Sequence, residues 1–300
     1  MSEARTLFIV NPNAGSVEGL ETLHDALGSW PGAELRATRK EGDARRLARQ
    51  AVMDGTGLVV AAGGDGTLNE VVNGLSENFG KTRLGLLPLG TGNDFARSIH
   101  VPADLEGALE ILWEGRVRAV DVGHATFGGE SRWFINMAAG GFSGQVSEKA
   151  DEVKERWGPL AYLRAAAGTL FGLQGFNATF RIDGGEPLEL ETYNVVVSNG
   201  RFVAAGIPVA PHSELDDGLL DLMLVPTTTL PQLARLVPQI LLGKHGESDP
   251  LIIRELTTLE IESDPPMAFN LDGELIGEGP IRFDVLPRAL EVIVGPEETD

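Results

Sequence analysis

The chain begins with an apolar run. Residues 5–11, "RTLFIVN", stop at "NPNAG", which predicts a buried strand closed by a turn. Leu20, Leu23 and Leu27 then share one helical face, and residues 33–38, "AELRAT", are a short strand candidate. Ala44, Leu47, Ala48, Ala51 and Val52 fall at i, i+3, i+4, i+7 and i+8, with Arg45, Arg46 and Arg49 outside that stripe. A third strand is expected over 57–62, a helix through Leu68, Val71, Val72 and Leu75, and a fourth strand over 83–89. "DFARSI" and "DLEGALEILWEG" read as helices, and 117–123 reads as a fifth strand.

Alternation of this kind predicts an α/β domain with a parallel, doubly wound sheet over residues 1–122. Such sheets bind ligands beyond the carboxyl ends of their strands. The loops there are "NPNAG", "TRKEGD", "GGDGT" and "PLGTGND", so Gly, Asn, Asp and Thr gather along one edge.

The period changes beyond residue 123. Residues 146–172 read as two helices divided at Gly158-Pro159, and strand-like segments with apolar/polar alternation follow to the end. A β-rich, β-sandwich-like domain over 123–300 is expected, with the extreme C-terminus as an option for a return to the first domain. The apolar stretches 159–173 and 230–242 suit a bilayer or acyl contact, but a packed core helix is the commoner use of such a pattern.

Composition narrows the function. A net charge of -20 argues against nucleic acid and against simple attachment to anionic lipid. The chain has no cysteine, no signal-like N-terminus and no apolar run near the roughly 20 residues of a membrane span. A cytoplasmic protein is expected on these grounds.

The stretch "AAGGDGTLNEVVNG", Ala61 to Gly74, carries the chemistry. Gly63, Gly64 and Gly66 let a ligand approach bare backbone, and a helix starting near Thr67 adds its positive end, an arrangement suited to a phosphate chain. Asp65 beside that nest reads as a direct or water-mediated Mg²⁺ ligand, because a bare carboxylate would repel phosphate. The plainer alternative is a strand-to-helix turn in which Thr67 and Glu70 form a capping box. "GLSENFGKT" misses the Walker A spacing, and "GTGNDF" lacks the third glycine of a dinucleotide fingerprint.

"GGDGTLNEVVNG" followed by "LPLGTGNDFAR" resembles the diacylglycerol kinase catalytic-domain superfamily, and most of all its YegS-like bacterial lipid kinases. "NPNAG", "INMAAGGFSGQV", "VVSNGR", "SELDDGLLDL" and "NLDGE" continue the resemblance in order along the chain. It implies a nucleotide-binding domain, a β-rich domain, a cleft between them, and transfer of the ATP γ-phosphoryl group to a lipid hydroxyl. Diacylglycerol, phosphatidylglycerol or a long-chain base would serve as acceptor, met in transient contact with a membrane surface.

By matching position, Asn11, Thr38, Gly63, Gly64, Asp65, Gly66, Thr67, Leu68, Asn69, Glu70, Gly90, Thr91 and Asn93 would line the nucleotide. Asp65, Asp94 and Asp121 would organise Mg²⁺, and Asp272 and Glu274 would stand at the transfer site, with Glu274 as the usual base. Glu214, Asp217 and Leu219 would hold a second, structural Mg²⁺. Asp272-Gly273 is also an ordinary hairpin signal. Alanines in "RFVAAG" and Ser143 in "GGFSG" depart from the family and leave the lipid open. The rival readings are a kinase of a soluble substrate in the manner of NAD kinase, and a nucleotide-binding regulator without turnover. A homodimer is left open.

Overall fold

The computed structural model describes residues 5–14, 23, 27, 28, 30, 32–141, 175–246 and 248–297. The helices expected over 146–172, Ser143, and most of the segment around Leu20 lie outside them; Leu23 and Leu27 are helical. The chain divides into two compact units, Met1–Val122 with Pro287–Asp300, and Gly123–Leu286.

In the first unit, strands β1 (Thr6–Val10), β2 (Ala33–Ala37), β3 (Leu58–Gly63) and β4 (Arg83–Pro88) are parallel and lie in the order β4-β3-β1-β2. β1 is buried along its whole length, as a continuous apolar run at the centre of a parallel sheet should be. Helix α1 (Asp43–Met53) buries Ala44, Leu47, Ala48 and Ala51, the stripe read from the sequence. Helices α2 (Asp65–Leu75), α3 (Asp94–Ser98) and α4 (Leu105–Glu114) follow β3 and β4. Asp104 caps α4 by accepting the Gly107 amide at 2.8 Å.

The second unit is built from antiparallel strands. After β5 (Val117–Phe127) and β6 (Glu130–Phe134) come β7 (Met137–Gly141), β8 (Phe176–Ile182) and β9 (Leu188–Ser198). β10 (Phe202–Val203) and β11 (Ile207–Pro208) make a short ribbon, and β12 (Leu220–Pro226) leads into helix α5 (Leu230–Leu241). β13 (Ile252–Leu256), β14 (Thr258–Asp264), β15 (Ala268–Leu271), β16 (Glu274–Glu278) and β17 (Ile281–Ile293) complete the order. The core centres on Phe134, Phe180, Phe269 and Phe283, all at most 1% exposed. Phe283 meets Phe134 and Phe269 edge-on at ring distances of 5.9 and 5.5 Å, a favoured aromatic geometry.

One strand expectation needs correction. β5 does not extend the parallel set; its far half turns back on β6 through Gly128-Gly129, both at positive φ. Beside β4 lies instead the last part of β17, parallel to it, with Val292 opposite Leu84. Local alternation identifies a strand but not its neighbour, and this neighbour comes from the distant end of the chain.

Candidate active site

Because β1 to β4 are parallel, the loops that leave their carboxyl ends share one edge of the sheet. Hydrogen bonds knit them together. The Asn11 side-chain amide donates to the Thr67 hydroxyl at 3.2 Å, joining the loop after β1 to α2. The Asp65 carboxylate accepts the Asn93 amide at 2.8 Å on Oδ2 and the Asp94 amide at 2.9 Å on Oδ1, joining the turn after β3 to the turn after β4. The Asn93 side chain closes its own loop by accepting from the Gly90 amide and donating to the Pro88 and Gly90 carbonyls.

The two turns touch where only glycine fits. A Cβ on Gly90 would overlap the Gly64 backbone, and one on Gly92 would strike the Asp65 carboxylate and crowd Asp94. The carboxylates of Asp65 and Asp94 therefore flank the same turn. Burial pushes the Asp65 carboxyl above the usual carboxylate range, and the amides of Asp94 and Asn93 oppose that push. Gly66 and Thr91 are exposed on this rim, and Thr38 is half-buried beside it.

Several residues expected at the site are buried or hold protein partners. α2 starts at Asp65 with Gly64 as its cap, two residues before Thr67, so the expected capping box does not form. The Glu70 carboxylate instead accepts the amides of Gly42 and Ala44, at 2.9 and 3.0 Å, at the start of α1. It caps a neighbouring helix, which suits a carboxylate at a helix N-terminus. Leu68 and Asn69 are buried, and the Leu68 amide already donates to the Gly64 carbonyl. Asp121 is fully buried on β5, where Oδ1 accepts the Arg288 amide at 2.6 Å. Among the described residues no three or more His, Asp or Glu side chains gather as a metal site.

The second unit carries its own cluster. Asp272 and Gly273 form the β15–β16 turn at φ 47° and 98°, so the hairpin reading holds for the backbone. The Asp272 side chain does more than turn the chain. Its Oδ2 accepts the Ile135 amide at 2.8 Å, and Oδ1 accepts those of Met137 at 2.8 Å and Asn136 at 3.1 Å. All three donors belong to buried residues of "INMAAGG", a segment the sequence singled out without giving it a task.

Asn199 donates to the Ile135 carbonyl, Ser213 to the Asn199 carbonyl, and Arg201 Nε to the Ser213 carbonyl. Arg201 is thus held by protein backbone rather than standing as a bare strand-end cation. Glu274 remains open: its side chain is 45% exposed and lies 3.5 Å from Arg132 Nε. Asp217 accepts the Leu219 amide at 2.9 Å within its own turn, and Glu214 is exposed.

Comparison with known proteins gives each half a family. Residues 5–125 match the diacylglycerol kinase catalytic domain, and residues 136–294 match the YegS C-terminal NAD kinase beta sandwich-like domain. A diacylglycerol kinase of Staphylococcus aureus (strain MRSA252) is 34% identical over 293 residues, covering 96% of this chain and 91% of that one. The crystal structure of a diacylglycerol kinase from Bacillus anthracis str. Sterne superposes with a TM-score of 0.82 at 25% identity, covering 100% of both chains. An NAD kinase from Archaeoglobus fulgidus in complex with ATP shares the fold, with a TM-score of 0.57 at 11% identity over 96% of this chain and 93% of that one.

Proposed function

The chain belongs to the diacylglycerol kinase catalytic-domain family and is an ATP-dependent lipid kinase; from that premise we propose that its acceptor is diacylglycerol, met at a membrane surface. The observation that carries the reading is the Asp65 carboxylate, which ties two glycine turns together at the ligand-binding edge of a parallel sheet. On this reading the backbone of Gly64, Gly66 and the Gly90–Asn93 turn receives the phosphates, with the N-terminus of α2 adding its positive end. Asn11 and Thr67 fix the neighbouring loop against that helix.

The residues fit a magnesium ion. Mg²⁺ takes one or two carboxylates and keeps several waters, and the carboxylates of Asp65 and Asp94 flank one turn. Held by these two residues, it would neutralise charge on the transferred phosphoryl group. Asp121, with its Oδ1 on the Arg288 amide, is assigned to the fold.

Glu274 is the better base of the pair in "LDGE". Its carboxylate is half-exposed, whereas that of Asp272 already accepts three backbone amides. Glu274 takes the proton of the acceptor hydroxyl as the alcohol oxygen bonds to the γ-phosphorus. The bond from that phosphorus to the β–γ bridging oxygen breaks, and ADP leaves. Asp272 acts through the backbone by holding the hairpin that presents Glu274.

The test is phosphorylation with labelled ATP of detergent-dispersed diacylglycerol, phosphatidylglycerol, a long-chain base and NAD in parallel. Phosphatidic acid as the dominant product supports the proposal. Labelled NADP alone, or nucleotide binding with no labelled product from any acceptor, would overturn it.

A further inference from the structure

Helix α5 is apolar on two sides. Its inner side, Leu233, Leu236 and Ile240 at i, i+3 and i+7, packs with Val225, Tyr193 and Leu251. The outward surface of a globular helix is usually polar; here Gln232 and Arg235 are exposed on one flank, and the rest of the outward surface is apolar. Leu230, Ala234, Pro238 and Leu241 repeat at i, i+4, i+8 and i+11 on another side, with Pro231 and Leu242 beside them. Leu230 is 55% and Leu242 66% exposed, and Pro231, Ala234 and Pro238 are exposed as well. The polar residues of the helix are Gln232, Arg235 and Gln239.

Charge tells what this side faces. The chain holds 44 acidic residues, yet none falls between Leu222 and Gly246. The exposed charges there are Arg235 and Lys244, both cations. Charges farther than about 8–10 Å from a lipid surface are largely screened at physiological salt, so the helix at the contact outweighs the net charge of the whole chain. Exposed leucines edged by cations suit the boundary between acyl chains and anionic headgroups. A second copy of so acidic a chain would supply less matching charge.

We propose that the outer side of α5, edged by Arg235 and Lys244, is the surface by which this kinase settles on anionic bilayers. The proposal takes its purpose from the lipid kinase reading, while its geometry stands apart from it. The contact would bring the chain to the phase where a water-insoluble acceptor resides, and it would do so without a membrane-spanning helix, of which there is none among the described residues.

Co-sedimentation of the full chain with phosphatidylglycerol/phosphatidylcholine vesicles, against phosphatidylcholine alone, reads the contact without turnover. The wild type is expected to pellet with the anionic vesicles. Leu230→Ser with Leu242→Ser should lower partitioning roughly twentyfold, since two half-exposed leucines lose their apolar seat. Arg235→Glu with Lys244→Glu should erase the preference for phosphatidylglycerol, and Ala234→Trp should strengthen binding. Thermal melts should match the wild type throughout, because all five side chains are exposed.

Wild type left in the supernatant, either double variant pelleting like the wild type, or light scattering that shows a wild-type dimer split by the serine variant would overturn the proposal. Turnover of water-dispersed dioctanoylglycerol tests the other premise separately. The variants should match the wild type there, and a wild type that fails on this acceptor sinks the diacylglycerol reading while the sedimentation result still decides the docking surface.

Discussion

Replacing Asp272 separates a residue that holds the site from one that does its chemistry. In Asp272→Ala the amides of Ile135, Asn136 and Met137 lose their carboxylate, and all three residues are buried. Each orphaned buried donor costs about 1–3 kcal/mol, so three incompletely rehydrated amides come to about 3–5 kcal/mol. Asp272→Asn keeps one oxygen but turns an amino group toward a backbone N–H, for a loss of about 2–3 kcal/mol. At roughly 2–4 °C per kcal/mol for a domain of this size, the alanine variant should melt on the order of 6–20 °C below wild type. Glu274→Gln leaves a half-exposed side chain in place, and its melting point should stay within about 1 °C while turnover falls by about two orders of magnitude. Calorimetry and labelled-ATP turnover on the three variants check this. If Asp272→Ala melts with the wild type and only kcat falls, Asp272 belongs to the chemistry and its assignment as an anchor is wrong.

Asp65→Asn should cut turnover by about two orders of magnitude, while stability moves by no more than about 1 kcal/mol because a buried charge is relieved as two charge-assisted bonds weaken; near-wild-type turnover would refute the metal role. Glu70→Ala should lower stability by about 1–2 kcal/mol through the lost cap on α1, seen as a lower urea midpoint with little change in the KM for ATP. Ala204 and Ala205 sit at φ 51° and 68°, so Ala205→Gly should raise the melting point through about 1 kcal/mol of relieved strain; a lower melting point would count against it. Asp183 titrates below the usual carboxylate range: burial works against this, but the Thr257 hydroxyl and the Thr258 and Thr257 amides prevail. Its stabilisation is present above about pH 4 and is lost as pH falls through the lower folded value, so Asp183→Ala should flatten the acid limb of a stability–pH curve.

The first unit was largely legible because its signals are local. The runs at 6–10, 58–63 and 83–88 are strands, and the stripe through Ala44 and Leu47 is a helix face. The glycine turns after β3 and β4 could be placed on one edge because parallel strands put all their carboxyl ends there. Partners could not be read in the same way. Thr67 and Glu70 have capping-box spacing, yet Glu70 reaches α1, a helix whose closeness no local pattern declares. Asp121 reads in the sequence as one more acid of a metal set, and no local pattern declares that its Oδ1 accepts a backbone amide 167 positions away. Asp272 shows the opposite limit: its sequence reads either as a hairpin turn or as a functional motif, and its backbone makes the turn while its side chain grips Ile135 to Met137.

The β17 strand has a consequence for how this protein comes off the ribosome. The end of β17 and the two residues after it pair or bond with Leu84, Ile99, Arg116 and Asp121, yet they are translated after all of Gly123–Leu286. Nascent domains usually close in order from the N-terminus. Here the earlier-made sheet must wait, one edge unfinished, until the later-made unit has emerged, so a fragment ending near Val122 should misfold where an excised Gly123–Leu286 has its own phenylalanine core to fold around.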